Sequence, residues 1–405
     1  MANNQYVITI SPNQNELSII KAKGYKIILL KTNLSFDEVM SVDVPIEMNI
    51  NDEELVLKRC LELNEKYNIA AVFSLNEYRV VLSSKVATAL NLNHHLEPSA
   101  ALLCQSKNKL RQHLNDRNIS YVHYESICIK GDSCALSIKH INFPLVIKPS
   151  NDSGSKNIFF CTDEKSVSEA IYKLKEVKYN HVGQEIEKEI LVEEFLEGPE
   201  FSVESYTIDS ETRIVGITKK EISNYPYAFE VGHQFPATLG KDDSTSIEDL
   251  VSITLEAIGF NNGIAHTEVK LTEKGPKIIE VNARPGGDRI MDLVQHVHHI
   301  DLKQLAFEIN LGTSSLPCLH KQKEGKKSAS IHFFYAEDDG IASFQEVVTN
   351  QQILESKWYI QNKTPVKKTT TNFNRLGYVI VEGNLDNTLT IKQAYNLHIE
   401  TPSLV

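Results

Sequence analysis

Polar and apolar residues alternate in two neighbouring stretches about two thirds of the way along the chain. The stretches cover 266–271 and 278–288, and the segment between them contains a Gly-Pro pair. Alternate side chains of a β-strand point to one face, so this pattern predicts a hairpin with one apolar face and one polar face. The polar positions include Glu268, Glu280 and Asn282.

Short apolar runs and amphipathic segments alternate over the first hundred residues. Strands are predicted at 6–10, 26–31 and 70–74, and helices at 14–23, 52–67 and 77–90. The first crossover is short, which favours a parallel sheet. The turn after the first strand, Ser11 to Gln14, lacks the glycines of a dinucleotide-binding turn, so no such site is expected there.

The later part of the chain mixes both kinds of pattern. Helices are predicted at 100–115, 163–176 and 288–311, while strands dominate 213–283 and return at 328–335 and 376–382. We therefore predict an α/β and α+β multidomain fold. Its units would be an N-terminal parallel α/β domain at 1–97, a second domain at 98–312 and a smaller β-rich unit at 313–405.

Composition limits the class of protein. The chain has 405 residues, of which 41% are hydrophobic and 23% charged, as in soluble proteins of two or three domains. No apolar run approaches the ~20 residues that span a membrane. The N-terminus does not resemble a signal peptide, so a cytoplasmic location without a membrane partner is expected. A net charge of −11 argues against a nucleic-acid partner, and six scattered cysteines suggest neither disulfides nor a zinc site.

The chemistry of the predicted hairpin depends on the number of residues in its turn. An odd number would place Glu268 opposite Glu280, and two carboxylates beside the Asn282 oxygen would repel one another unless a cation lay between them. Mg²⁺ prefers hard oxygen ligands of this kind. An even number would place the glutamates on opposite faces and remove the metal site. An amphipathic hairpin with a solvated polar face is the alternative interpretation.

Two other apolar strands end in groups that suit a nucleotide. The segment 143–149 contains Lys148 near its end and precedes a loop of small residues at 151–157, where an ammonium and backbone amides would suit polyphosphate. The segment 191–196 becomes acidic and leads into Gly198. An ordinary turn and a solvated hairpin are the alternatives for these two segments.

The order of these segments resembles the ATP-grasp superfamily. They are Lys109, V-I-K-P at 146–149, the small-residue loop, V-E-E-F-L-E-G at 192–198, T-E-V-K at 267–270 and I-E-V-N-A-R at 279–284. The resemblance covers about 100–312 as the grasp proper, and 1–95 resembles the α/β domain that precedes it. It implies antiparallel sheets, with a subdomain covering the nucleotide at about 127–200.

The resemblance also implies roles for individual residues. Glu268, Glu280 and Asn282 would bind Mg²⁺, for which Mn²⁺ is a candidate substitute. Arg284 and Lys148 would act in catalysis by stabilising the transferring phosphoryl group, because phosphoryl transfer depends on positioning and charge neutralisation. ATP would be bound by Lys109, Lys148, Ser153, Gly154, Ser155, Glu193, Glu194, Phe195, Leu196 and Glu200.

The segment 229–237 resembles the bacterial L-amino acid ligases of the bacilysin-synthetase type, which join two free amino acids. This resemblance implies that Glu230 and His233 contact the substrate, with His233 also orienting a carboxylate or an oxyanion in catalysis. Arg284, Gly286 and Gly287 would receive the carboxylate of an amino acid.

The implied reaction forms a peptide bond through an acyl phosphate and releases ADP and phosphate. Another carboxylate–amine ligase of the superfamily, of the purine-biosynthesis or specialised-metabolite type, is the second hypothesis. A nucleotide-binding regulatory protein is the third. A homodimer is common among enzymes of this kind, so it is a candidate assembly.

Overall fold

The structure is a computed structural model. It describes residues 4–129, 138, 140–152, 154, 156–180, 182–224, 227–314, 328–345, 353–383 and 397–400. Ser153 and Ser155, both expected to bind ATP, lie outside the described residues. Among the helices that the structure describes, none has the length and apolar character needed to cross a lipid bilayer.

The N-terminal region is the predicted parallel α/β domain. Its strands are β1 (Tyr6–Ile10), β2 (Lys26–Lys31), β3 (Val44–Glu47) and β4 (Ile69–Phe73), in the order β3-β2-β1-β4. Its helices are α1 (Gln14–Ala22), α2 (Phe36–Ser41), α3 (Glu53–Asn64) and α4 (Val80–Ala89), with a 3₁₀ turn at Glu77–Arg79. The sequence pattern missed β3 and α2, because four to six residues are too few to establish a period.

A small antiparallel sheet follows in the region expected to cover the nucleotide. Its strands are β5 (Tyr124–Cys128), β6 (Leu145–Pro149), β7 (Phe159–Cys161) and β8 (Glu189–Glu194), in the order β5-β8-β6-β7. The predicted helix at 100–115 is broken at Ser106, which is extended, into α5 (Pro98–Gln105) and α6 (Lys107–Asp116). Helix α7 (Glu164–Glu176) buries Val167, Ala170, Ile171 and Leu174, one face at helical spacing.

The central sheet joins strands from both sides of the predicted boundary at residue 312. Its strands are β9 (Glu200–Ile208), β10 (Glu211–Ile222), β11 (Glu230–Phe235), β12 (Gly263–Thr272), β13 (Gly275–Asn282), β14 (Ala329–Phe334), β16 (Ile353–Trp358) and β18 (Gly377–Glu382). Their order is β13-β12-β9-β10-β11-β14-β18-β16, so the C-terminal strands extend the sheet through β11. A small separate sheet contains β15 (Gly340–Ser343), β17 (Thr364–Val366) and β19 (His398–Glu400).

The helices beside the central sheet differ from the prediction in two places. Helix α8 (Lys241–Ala257) lies where strands were expected, although Ile247, Val251 and Leu255 recur at the spacing of a helix face. The predicted helix at 288–311 is divided into α9 (Ile290–His298) and α10 (Leu302–Leu311). His299 adopts a left-handed conformation with φ 59°, which ends α9.

Helix α10 packs between the N-terminal sheet and the central sheet. The Phe307 side chain is fully buried, and its ring centroid lies 5.0 Å from that of Phe73 on β4 and 5.8 Å from that of Tyr25. These residues belong to one core cluster that also contains Ile264 of β12 and Ile331 of β14. The position of the N-terminal domain relative to the central sheet therefore depends on this apolar contact.

We expect Phe307→Ala to lower the free energy of unfolding by about 3–5 kcal/mol, because it removes a buried aromatic ring and leaves a cavity. Phe36→Ala is the matched control, since Phe36 is 77% exposed and its loss should change stability by less than about 0.5 kcal/mol. Urea denaturation followed by circular dichroism measures both variants. Equal effects of the two substitutions would contradict the assignment of Phe307 to the interdomain core.

Candidate active site

A β-bulge places the two candidate metal-binding glutamates on one face. The turn between β12 and β13 has two residues, because Thr272 pairs with Gly275, so an unbroken ladder would put Ile279 opposite Glu268. Instead the register shifts at Ile279, and Glu268 pairs with Glu280. A turn with an even number of residues would by itself place the two glutamates on opposite faces of the sheet. The extra residue, Ile279, returns Glu280 to the face that carries Glu268.

A second bulge acts in the same way on β11. Glu230 pairs with Ile222 and Gly232 pairs with Glu221, which leaves Val231 without a partner in the ladder between β10 and β11. Residues three apart in a regular strand point to opposite faces. Because of the bulge, Glu230 and His233 lie on the same face, with 3.5 Å between the Glu230 Oε2 and His233 Nε2 atoms.

Neighbouring strands add further charged groups to this polar face. The Lys220 Nζ atom on β10 lies 2.8 Å from a carboxylate oxygen of each of Glu200, Glu230 and Glu268. Lys220 is nearly fully buried, and these three carboxylates together raise its pKa well above the usual value against the opposing effect of burial. Lys220 therefore prevents mutual repulsion among carboxylates of three different strands. The sequence pattern did not single it out.

The three residues expected to bind a metal lie close together. Glu268 and Glu280 are opposite each other, and the Asn282 side-chain nitrogen donates to Glu280 Oε1 at 2.9 Å. Burial alone would raise the pKa of Glu268, but Lys220 and His266 outweigh it and hold that pKa well below the usual range. Ionised carboxylates beside an amide oxygen form an oxygen donor set that fits Mg²⁺.

The structure places Lys107, and not Lys109, at this site. Lys107 lines the cavity beside Glu280, with its Nζ atom 3.2 Å from Glu280 Oε2 and 2.7 Å from the carbonyl oxygen of Asp152. Lys109 is exposed on α6. Residues two apart on an α-helix point to nearly opposite sides, so only one of the two lysines can face the site.

Lys148 lines both of the cavities described below. Its Nζ atom is 2.6 Å from Glu193 Oε2, and Arg111 binds the other oxygen of the same carboxylate. Burial alone would raise the pKa of Glu193, but Arg111 and Lys148 hold it at about 2. Glu193 is therefore a fixed anion that orients Lys148, and the sequence pattern did not identify Arg111 as its second partner.

A cavity of about 160 Å³ lies between β6, β8 and β10. Its walls combine charged side chains with apolar ones, and the apolar residues include Val146, Phe160, Phe195, Leu196 and Ile222. Apolar walls beside a few charged groups suit a nucleotide, which has an apolar base and charged phosphates.

The predicted acidic residues of this cavity are already engaged with other groups. The backbone N–H of Glu194 donates to the His123 carbonyl, so this N–H is not available to a ligand. Glu200 faces two lysines, Lys220 at 2.8 Å and Lys270 at 3.3 Å.

A second cavity of about 280 Å³ adjoins the first. It is lined by Glu230, Asp288 and Arg284 on one side and by a turn from the C-terminal part of the chain on the other. In that turn Asn372 Oδ1 accepts a hydrogen bond from the Glu230 backbone N–H at 2.9 Å, and Arg375 donates to Asp288 at 2.7 Å. The sequence pattern did not single out this turn.

The same turn reaches the small-residue loop of the nucleotide region. The Phe373 ring lies 4.5 Å from the Lys156 Nζ atom and is near Gly154, where an added Cβ would meet the ring at 3.5 Å. Gly154 and Lys156 both line the larger cavity. Gly154, Lys156 and the C-terminal turn therefore form part of one wall of this cavity.

Glu230 and Asp288 form an acidic pair that is joined by a hydrogen bond between their carboxyl groups. Burial and a hydrogen bond with Glu230 raise the pKa of Asp288 to about 6. Together with His233 their ligand atoms lie close enough to hold a metal ion. Lys220 also pairs with Glu230 and Arg375 with Asp288, so each carboxylate of this pair already has a cationic partner in the protein.

The remaining predicted residues are near the site, but not all of them face a ligand. His233 is fully buried behind Glu230, with its ring against Phe333, and lines neither of the two cavities, so the direct substrate contact expected for it is not observed. Arg284 lines the larger cavity, where its Nε atom donates to Glu77 Oε2 at 3.1 Å.

Gly286 and Gly287, both expected to bind the carboxylate of an amino acid, have different surroundings. The Gly286 N–H donates to Glu204 Oε2 at 3.0 Å, which occupies the amide expected to bind substrate. Gly287 lines the cavity and has open space at its Cβ position.

Comparisons with known proteins bear on the fold that carries this site. A family model of the ATP-grasp domain matches residues 141–292, so this part of the chain resembles an ATP-grasp domain. Its fold matches the crystal structure of an L-amino acid ligase from Bacillus licheniformis with a TM-score of 0.74, at 21% sequence identity over 100% of both chains. This match confirms the predicted α/β and α+β architecture.

Two relatives indicate which ATP-grasp proteins the chain resembles. It is 26% identical to dapdiamide A synthase of Enterobacter agglomerans over 322 residues, which are 75% of this chain and 73% of that protein. It is 24% identical to alanine–anticapsin ligase of Bacillus subtilis over 310 residues, 72% of this chain and 64% of that protein. The chain thus resembles the ATP-grasp carboxylate–amine ligases, L-amino acid ligases among them.

The two lysines of α6 provide a matched test of the site. We expect Lys107→Ala to weaken ATP binding by about tenfold or more, the usual effect of losing one charged hydrogen bond. Lys109→Ala should leave ATP affinity within about twofold, because that side chain faces solvent. Isothermal titration calorimetry with a non-hydrolysable ATP analogue measures both variants. If Lys109→Ala lost more ATP affinity than Lys107→Ala, the assignment of Lys109 to the ATP site would be supported instead.

Proposed function

We propose that the protein is an ATP-dependent ligase that forms a peptide bond between two amino acids. The observation that carries this proposal is the junction between the two cavities. Both are lined by Lys148, Glu230 and Glu268, so a nucleotide phosphate in the smaller cavity would lie next to a molecule in the larger one. The candidate cation-binding carboxylate Glu268 lies at this junction, where the phosphoryl group would be transferred.

The chemistry follows from the weakness of a carboxylate as an acyl donor. An oxygen of the first amino acid's carboxylate would attack the γ-phosphorus of ATP, the bond to the bridging oxygen would break, and ADP would leave. The amine of the second amino acid would then attack the carbonyl carbon of the acyl phosphate. The new C–N bond forms as the C–O bond to phosphate breaks, and phosphate and a proton are released.

Residues of this chain would supply the charges for both steps. Lys148 and Lys107 would neutralise phosphate oxygens, and Arg284 would stabilise the transferring group once it is released from Glu77. Mg²⁺ bound by Glu268, Glu280 and Asn282 would neutralise the nucleotide phosphates. Glu230 would accept the ammonium of an amino acid, because its carboxylate lies at the wall of the larger cavity.

The larger cavity favours amino acids over the alternatives. Glu230 and Asp288 place two carboxylates at the wall of this cavity, where the ammonium of an amino acid could be bound. A regulatory protein that only binds nucleotide has no need of the complete set of Glu268, Glu280, Asn282 and Arg284. These observations support an amino-acid ligase, with another carboxylate–amine ligase as the second candidate.

The direct test is an ATP-turnover assay with Mg²⁺ and all pairs of the common amino acids. We expect ADP and phosphate to form together with a product whose mass is the sum of the two amino acids less one water. Glu280→Gln is the control, and it should abolish turnover while the melting temperature changes little, because it removes charge and keeps shape. Near-normal turnover in this variant would contradict the role of Glu280.

The role of Glu230 can be tested separately. We expect Glu230→Ala to raise KM for one amino acid by about tenfold or more, since a buried charged hydrogen bond is lost, and to change KM for ATP much less. Steady-state kinetics with each substrate varied in turn measures this difference. Equal increases for ATP and both amino acids would instead indicate a structural role.

A further inference from the structure

Glu204 and His266 form a buried pair behind the candidate metal site. Glu204 is fully buried and His266 is 5% exposed. Opposed across β9 and β12, they are joined by a hydrogen bond between Glu204 Oε1 and His266 Nδ1. The other ring nitrogen of His266 lies 3.5 Å from Glu268 Oε1, so the imidazole lies between two carboxylates. Neither the family motifs nor the expected ligand set includes this pair.

The second oxygen of Glu204 holds the loop that carries Arg284. Glu204 Oε2 accepts the backbone N–H of Gly286 at 3.0 Å. The loop approaches so closely that a Cβ at position 286 would lie 2.7 Å from Glu204 Oε1 and 2.8 Å from His266 Nδ1. Glycine is therefore required at this position because a Cβ atom would collide with Glu204 and His266, and not because of the wider range of backbone conformations that glycine can adopt.

These contacts form a continuous chain of polar groups from the metal site to the substrate loop. It runs from the Glu268 carboxylate through His266 and Glu204 to the amide of Gly286. Glu204, His266 and Gly286 are buried, so water cannot replace a partner that is removed from any of these three. Arg284 and Gly287, on either side of this anchored amide, both line the larger cavity.

We propose that the Glu204–His266 pair positions the substrate loop 284–288 relative to the metal ligand Glu268. This inference rests on the proposed function and adds two residues to it. Neither acts on the reacting atoms; each is a positioning residue that works through Glu268 or Gly286. The pair would make cation binding at Glu268 and amino-acid binding at the loop mutually dependent.

The alternative role for the pair is to stabilise the sheet. Glu204→Gln would then lower the melting temperature without a selective effect on any ligand. A positioning role predicts a selective effect, because the amide of glutamine cannot accept from both the imidazole and Gly286 as a carboxylate does. The two roles can therefore be distinguished by ligand-specific measurements.

The first experiment measures Mn²⁺ binding by electron paramagnetic resonance in the absence of amino acids and turnover. We expect Glu204→Gln to weaken Mn²⁺ binding by about tenfold, the effect typical of losing a group that orients a metal ligand. Glu16→Gln is the matched control, because Glu16 is a buried carboxylate of the N-terminal domain, and it should leave Mn²⁺ affinity unchanged. Equal Mn²⁺ affinity in the wild type and Glu204→Gln would overturn the proposal.

The second experiment is a double-mutant cycle between the pair and the loop. Gly286→Ala and Glu204→Gln should each raise KM for an amino acid by about tenfold while KM for ATP stays within about twofold. If both act through one contact, the double variant should be little worse than either single variant. Fully additive effects, or equal changes in KM for ATP and the amino acid, would show that the two positions act independently.

The outcomes also separate this inference from the proposed function. If no amino-acid pair is joined, the proposed function fails, whereas the Mn²⁺ measurement still tests the link between Glu204 and the metal ligand. If dipeptides form but Mn²⁺ affinity is unaltered by Glu204→Gln, the function stands and the positioning role fails. A shared loss of Mn²⁺ affinity and melting temperature in the Glu16 and Glu204 variants would indicate general destabilisation and overturn the positioning role.

Discussion

The crowding of carboxylates on one face of the central sheet is the constraint on which the rest of the structure depends. Glu200, Glu204, Glu230, Glu268 and Glu280 come from four strands and lie within a largely buried region. Buried charges of like sign are costly unless cations lie between them. Lys220, His266 and Lys107 lie among these carboxylates. The protein itself therefore supplies positive charge to the region in which a metal ion would add more.

This arrangement explains how charged groups can be buried at the site: each of them has a partner of opposite charge. Burial alone would lower the pKa of His266, but Glu204 and Glu268 raise it to about 10, so the imidazole is a cation at neutral pH. Burial alone would also lower the pKa of Lys107, and Glu280 and Glu77 reverse that effect. The cations and carboxylates thus keep each other ionised, and a ligand that binds one group changes the balance for its neighbours.

The sequence predicted the parts of the site that depend on local pattern and failed where the chain folds back on itself. Alternation identified the hairpin with Glu268 and Glu280, and the predicted strand at 26–31 agrees with β2 (Lys26–Lys31). The choice between Lys107 and Lys109 required the exact start of a helix, which pattern rarely fixes. Lys220, Arg111 and Arg375 were missed because their partners are distant in sequence, and no periodicity records a contact of that kind.

The bulges at Val231 and Ile279 have a consequence for how this protein can vary through evolution. Substituting Ile279 would alter one side chain, but deleting it would turn every residue that follows it in β13 to the other side of the sheet, Asn282 included. A change of chain length within these two strands should therefore disturb the site more than a substitution of the bulged residue itself. Homologues should accept insertions and deletions in the loops around the site, while the spacing from Glu230 to His233 and from Glu268 to Glu280 stays constant.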